Sequence, residues 1–264
     1  MEIALARAIG THPIAAYLSG LALVLAAIAV SWFAIGHAKR SVGRKVPARH
    51  PLLRAVIGFA VILALGSLFA EMSEAEDVRE SMGRFDVTLT DTLRQQVSAA
   101  TLLPFALATR LGDVGTIAGL CVAVALWLWW RGDRPLARLW VIAVAGNAVL
   151  NEALKSVFER ARPIHEHALV TAPGWSFPSG HSSGAIVAYG MLAYVLASHA
   201  PRAWRLPLVL AAAGVAFTTG LSRAMLHVHW ASDVLAGFAS GLMWLTVCVL
   251  SADWMRSRQP RSAD

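Results

Sequence analysis

Charge is scarce in this sequence: Asp, Glu, Lys and Arg make up 15% of its 264 residues, against 57% hydrophobic residues, and the mean hydropathy is +0.58. That balance excludes an ordinary soluble domain, in which about a quarter of the residues are charged. Cysteine is nearly absent. Cys121 and Cys248 both fall inside apolar runs, so no disulfide framework or thiolate metal centre can be assembled, and each reads as a small packing residue. Internal repeats and low-complexity segments are missing as well, and the chain reads as a single membrane domain over 1–264.

What is abundant is apolar sequence. A helix needs roughly 20 mostly apolar residues to cross a hydrocarbon core about 30 Å thick. Runs of that kind lie at Pro13 to Gly36, Ala55 to Ala70, Val114 to Trp130, Leu136 to Leu154, Ser183 to Ser198, Leu206 to Leu221 and Ala231 to Leu250. The expected fold is all-α, a polytopic membrane helix bundle of about seven transmembrane helices. The first run is too long for the apolar region of a cleaved leader and reads as a retained helix.

The net charge of +7 reflects topology and not a nucleic-acid surface. Lys39, Arg40, Arg44, Lys45, Arg49 and Arg54 crowd the first connection, Arg131, Arg134 and Arg138 the third, Arg202 and Arg205 the fifth, and Arg256, Arg258 and Arg261 the tail. These alternate connections share one side of the bilayer, which the positive-inside rule makes cytoplasmic. The C-terminus is then cytoplasmic and, with an odd number of spans, the N-terminus outside. The interval 71–113 lies on the outer side with eight acidic and four basic residues. Its scattered apolar residues fit an amphipathic helix on the membrane surface.

Two further outer intervals, 156–182 and 222–230, hold most of the remaining ionisable residues. The stretch Gly174-Trp-Ser-Phe-Pro-Ser-Gly-His-Ser-Ser-Gly-Ala185 places breakers, hydroxyls and a histidine directly before an apolar run. Lys155 and Arg162 precede it, and Arg223, His229 and Asp233 follow. Three cations, two histidines and one carboxylate at one depth suggest an oxyanion site, and phosphate suits it best. Lysine offers a mobile point charge and arginine a planar fork. Ser179, Gly180 and the first amides of the next helix would turn N–H groups and the positive end of the helix dipole toward the same oxygens. His229 and Asp233 are about one helical turn apart and would share a face. The carboxylate would fix the imidazole tautomer and leave the other nitrogen as a nucleophile toward phosphorus. His181, from another helix, would protonate the leaving oxygen.

Lys155, six residues, Arg162-Pro163; Pro178-Ser-Gly-His181; Ser222-Arg223, five residues, His229, three residues, Asp233: in residue type and spacing these blocks, at 155–163, 178–181 and 222–233, resemble the signature of the type 2 phosphatidic acid phosphatase family, whose superfamily includes the vanadium haloperoxidases. The resemblance covers roughly 91–250. It implies a nucleophilic His229 partnered by Asp233, His181 as acid, and Lys155, Arg162, Ser179, Gly180 and Arg223 around the phosphoryl group. No cofactor and no metal is implied, in keeping with the lack of a carboxylate cluster. The partners would be a lipid phosphate and the bilayer, with no nucleic acid, and nothing in the pattern fixes an oligomeric state. A six-span core is usual, so the helix 13–36 reads as an addition. Undecaprenyl diphosphate, phosphatidic acid, phosphatidylglycerol phosphate and lipid A phosphates present a similar terminal group. A bacterial composition leans toward the first. A phosphotransferase using the same phosphohistidine, and a lipid-phosphate binding or transport protein, are the alternatives.

Neighbouring residues have plainer readings. His227 is set aside because the spacing to Asp233 selects His229. His165, Glu166 and His167 read as a solvated or headgroup-facing loop, and Glu159 and Arg160 as a surface ion pair. Glu152 either joins the site or does not. Trp127, Trp129 and Trp130 read as a cytoplasmic interfacial belt. Trp175 and Trp230 either cover the pocket or anchor at the interface. Gly115 with Gly119, and Gly237 with Gly241, have the spacing of close helix packing.

Overall fold

Among the residues described by the computed structural model, 1–41, 51–74, 76–163 and 170–258, every regular element is helical. The order is α1 (Glu2–Thr11), α2 (Pro13–Ser41), α3 (Pro51–Glu74), α4 (Glu76–Gln96), α5 (Ala99–Ala108), a 3-10 turn (Thr109–Gly112), α6 (Val114–Trp130), α7 (Arg134–Phe158), α8 (Gly180–His199), a 3-10 turn (Arg202–Trp204), α9 (Arg205–Met225) and α10 (Ala231–Arg258). The side chains of Lys39, Arg40, Arg44, Lys45, Arg49, Arg54, Arg258 and Arg261, and residues His165, Glu166 and His167, lie outside the described residues.

Each run expected to span the bilayer falls within a helix: α2, α3, α6, α7, α8, α9 and α10 in turn. By length and apolarity alone, the described residues supply four full spans, at Pro13–His37, Arg134–Phe158, Arg202–Met225 and Ala231–Ser257. A fifth arises if Ala99–Gly112 and Val114–Trp130, bent by 45°, form one broken span. The apolar ten-residue α5 was hidden in the sequence because it is too short to span by itself. α8 fails the apolarity test for another reason. It packs against α7, α9 and α10, so small and hydroxylated residues such as Ser182, Ser183 and Ala185 serve it better than lipid-facing ones.

Helix ends follow local chemistry. Asp133 accepts the Leu136 N–H at 3.3 Å and Pro135 sits in the first turn of α7, where its missing N–H costs nothing. That helix stops at Glu159, whose φ of 43° is left-handed. Between apolar helices in lipid, association depends on close packing more than on water release. A Cβ on Gly237 would sit 2.5 Å from the Ser179 carbonyl oxygen and one on Gly241 2.9 Å from the Ser183 Cα, so these glycines bring α8 and α10 into contact. Gly115 and Gly119 have open space instead. At the end where α6 stops and α7 begins, Arg131 and Arg134 lie over the rings of Trp127 and Trp129. Trp140 is fully buried and donates to the Cys121 carbonyl at 2.9 Å. The opposite end carries α4, whose Leu89 and Leu93 pack beside Ala6 of α1 and Val228.

Candidate active site

The C-terminal ends of α7 and α9 and the N-terminal ends of α8 and α10 meet at the end of the bundle away from those stacked arginines. The loop after α9 turns sharply because His227 is left-handed, with φ 58°. Val228 and His229 then both donate their N–H groups to the Arg223 carbonyl, at 3.1 and 3.2 Å. The turn thereby delivers His229 into the protein, where it is 2% exposed.

His229 Nδ1 lies 3.3 Å from Oδ2 of Asp233, which is fully buried. Its Nε2 lies 2.9 Å from Nη1 of Arg162. A guanidinium can only donate, so Nε2 must present its lone pair there and the ring proton belongs on Nδ1, facing Asp233; the tautomer is assigned from these partners. Burial pushes the His229 pKa down to about 4, against the hydrogen bond and charge of Asp233, with Arg162 and Arg223 adding to the fall. The ring is therefore neutral at ordinary pH. Arg162 is itself held by the carbonyls of Gly174, Pro173, Trp175 and Val228, at 2.9, 3.1, 3.0 and 2.8 Å. Burial draws its pKa below the ordinary range, opposed by Asp233.

Ser179 caps α8: its Oγ accepts the Ser182 N–H at 3.4 Å and the Ser182 hydroxyl at 2.9 Å, while its own N–H donates to the Asp233 carbonyl at 3.0 Å. Ser179 thus joins the second sequence block to the third. The next amides, Gly180 and His181, begin the helix and have no intrahelical acceptor. A Cβ on Gly180 would fall 2.8 Å from Asn151 Oδ1 and 4.0 Å from Lys155 Nζ, which places Lys155 beside those amides. Lys155, Arg162 and Arg223 are close enough for their charges to repel one another. Like charges gathered this way favour an anion between them.

His181 Nε2 is 3.1 Å from Asp113 Oδ1, at the start of α6. Arg223 is 2% exposed and donates to the Thr109 hydroxyl at 2.9 Å. Sequence reasoning missed Asp113 and Thr109 because nothing local marks them, whereas Asn151, beside Glu152 at the outer end of its span, has an amide that reaches Ser183 Oγ at 3.3 Å. Glu152 points outward, 81% exposed, 3.9 Å from Lys155. Trp230 donates to the Ala161 carbonyl at 3.0 Å and lies beneath the Arg160 guanidinium. Trp175 stays 42% exposed.

One expectation is overturned. Arg160 is not part of a surface ion pair: it bridges Asp86 and Asp233, at 2.9 and 2.7 Å, and these carboxylates are 1% and 0% exposed. The local sequence gave no hint because Asp86 arrives from α4, far away in the chain. Among the described residues no group of His, Cys, Asp and Glu is arranged to hold a metal ion.

A buried His–Asp pair set beside a group of cations at the end of a membrane helix bundle is an arrangement suited to an anion. The family model for the PAP2 superfamily matches residues 135–256, which contain the three sequence blocks. Phosphatidylglycerophosphatase B of Bacillus subtilis (strain 168) is 35% identical over 137 residues, covering 51% of this chain and 67% of that protein. The crystal structure of a transmembrane PAP2-type phosphatidylglycerolphosphate phosphatase from Bacillus subtilis matches with a TM-score of 0.66 and 25% identity, covering 78% of this chain and 98% of that one. The chain belongs to the PAP2 superfamily and is a multi-pass membrane protein of that all-helical fold.

Proposed function

We propose that this protein is an integral membrane phosphatase that removes the terminal phosphate from a lipid phosphate through a phosphohistidine on His229. The observation that carries the reading is the line Arg162, His229, Asp233, in which a neutral imidazole has its proton toward a buried carboxylate and its lone pair toward the Arg162 guanidinium. In the first half-reaction Nε2 attacks phosphorus, the P–N bond forms as the P–O bond to the lipid breaks, and His181, protonated once the negative charge of the bound phosphate lies beside it, gives that proton to the leaving oxygen. In the second, His181 takes a proton from water, whose oxygen displaces His229 and yields inorganic phosphate. Lys155, Arg162, Arg223 and the amides at the start of α8 stabilise charge on the equatorial oxygens, where most phosphoryl-transfer catalysis resides. No step calls for a metal or cofactor.

Phosphatidylglycerol phosphate is the first substrate to consider because the matched sequence and the matched structure are each named for that activity; phosphatidic acid and undecaprenyl diphosphate follow. The basic residues at the opposite end of the bundle, Arg131, Arg134 and Arg205 among them, support an active site on the extracytoplasmic face of a cytoplasmic membrane, with a cytoplasmic C-terminus. The test is phosphate release by detergent-purified protein from these lipids with EDTA present. The expected result is release by wild type and none by His229→Ala. Equal release by both would overturn the assignment, and dependence on added metal would overturn the metal-free scheme.

A further inference from the structure

Arg160 lies inside the first sequence block without being one of its phosphate-binding positions. Its Nη1 donates to Asp233 Oδ1 and to Ser232 Oγ, each at 2.7 Å, and its Nη2 donates to Asp86 Oδ2 at 2.9 Å. Asp86 also accepts the Ser232 N–H at 3.0 Å and, in a short hydrogen bond, the Ser232 hydroxyl. Stability alone is a poor reason for this arrangement, because buried charges recover little of their lost hydration and well-packed apolar residues often do as well.

The triplet does what apolar packing cannot. With Oδ1 of Asp233 held by Arg160, Oδ2 is left to the Ser176 hydroxyl, the Trp230 N–H at 2.9 Å and His229 Nδ1 at 3.3 Å. The plane of the carboxylate, and with it the imidazole, is fixed. Charge matters too. Arg160 and Asp233 together sum to zero, so without Asp86 no net negative charge would stand behind the imidazole as it becomes positive during attack on phosphorus.

Resting on the functional reading above, we propose that Asp86 and Arg160 are positioning residues, through which α4, outside the 135–256 match, orients Asp233 and supplies the negative charge that stabilises His229 in the transition state. They touch neither phosphate nor reacting atoms, so their effect falls on turnover and not on substrate capture.

The test uses the full-length, detergent-purified chain with a short-chain phosphatidylglycerol phosphate. Wild type, Asp86→Asn, Arg160→Gln, the double variant and His229→Ala are compared, and thermal unfolding reports the folded fraction. Asp86→Asn is expected to lower kcat per folded molecule by about tenfold or more, short of the loss on removing a carboxylate that holds a catalytic imidazole directly, with KM little changed. The double variant should lose less than the product of the single losses, because the residues act as a unit. If Asp86→Asn does not fold, Arg160→Lys keeps the charge without the two-carboxylate fork and should show the same fall in kcat. An unchanged kcat in the folded variant, or losses that simply multiply, overturns the proposal. A dead His229→Ala beside a fully active Asp86→Asn removes this proposal alone; a fully active His229→Ala removes the site reading beneath it.

Discussion

Nε2 of His229 lies 2.9 Å from Nη1 of Arg162, while Nδ1 of the same ring lies 3.3 Å from Oδ2 of Asp233. One nitrogen faces a group that can only donate and the other a group that, as a carboxylate, can only accept. The ring is thereby held in one tautomer, with its lone pair directed at the Arg162 guanidinium.

The first expected outcome concerns titration. Burial lowers the His229 pKa from 6.5 to about 4, so the ring stays neutral above about 4 and becomes protonated, and unable to attack, below it. Nitrogen-15 NMR of histidine-labelled protein, with His229→Gln used for assignment, should place its midpoint near 4. A midpoint at the ordinary histidine value would contradict the burial argument.

Arg162→Lys keeps the charge but cannot reproduce the fork that engages four backbone carbonyls and His229 together. Steady-state turnover should fall by about 100-fold or more, the scale of losing one aligned donor to a developing charge. Retention of wild-type kcat would show that charge alone suffices at this position.

Gly180→Ala and Gly237→Ala add the same methyl group to different surroundings. At Gly180 the nearest atom is the end of the Asn151 side chain, at 2.8 Å, with Lys155 beyond it. The side chains can give way, so the fold should persist while activity drops through a displaced Lys155 and a narrower cradle. Circular dichroism and phosphate release on one preparation separate the two effects.

At Gly237 the nearest atom is the backbone oxygen of Ser179, at 2.5 Å, which cannot move without shifting the start of α8. Gly237→Ala should therefore cost about 1–3 kcal/mol, the usual range for overpacking, visible as a lower unfolding temperature in detergent. An unchanged unfolding temperature would mean that α8 and α10 are less tightly joined than the structure has them.

The grouping of the candidate site residues was legible in the sequence to the extent that it is local. His229 and Asp233 share one turn, Ser179 caps the helix that follows it, and Lys155 to Arg162 span one helix end, so residue type and spacing, with the family resemblance, grouped them. Asp86 and Asp113 were not legible because they reach the site through tertiary packing: Asp86 reaches Ser232 from 146 positions away, on a helix whose period marks only its apolar face. Arg160 carried a polar residue's default reading for the same reason. In the fold, apolar length revealed the long helices. It missed α5, which is too short, and it could not foresee that Gly115 and Gly119 would face open space while the similarly spaced Gly237 and Gly241 join two helices.

The most direct test of the phosphohistidine scheme is to trap the intermediate. Purified protein is mixed with lipid substrate carrying a radioactive terminal phosphate, with EDTA present, and quenched in alkali, under which a P–N bond to histidine survives although acid destroys it. The expected result is an alkali-stable, acid-labile label on His229, absent from His229→Ala and more persistent in His181→Ala, where the base for the second step is missing. Label on another residue, or undiminished turnover by His229→Ala, would contradict it.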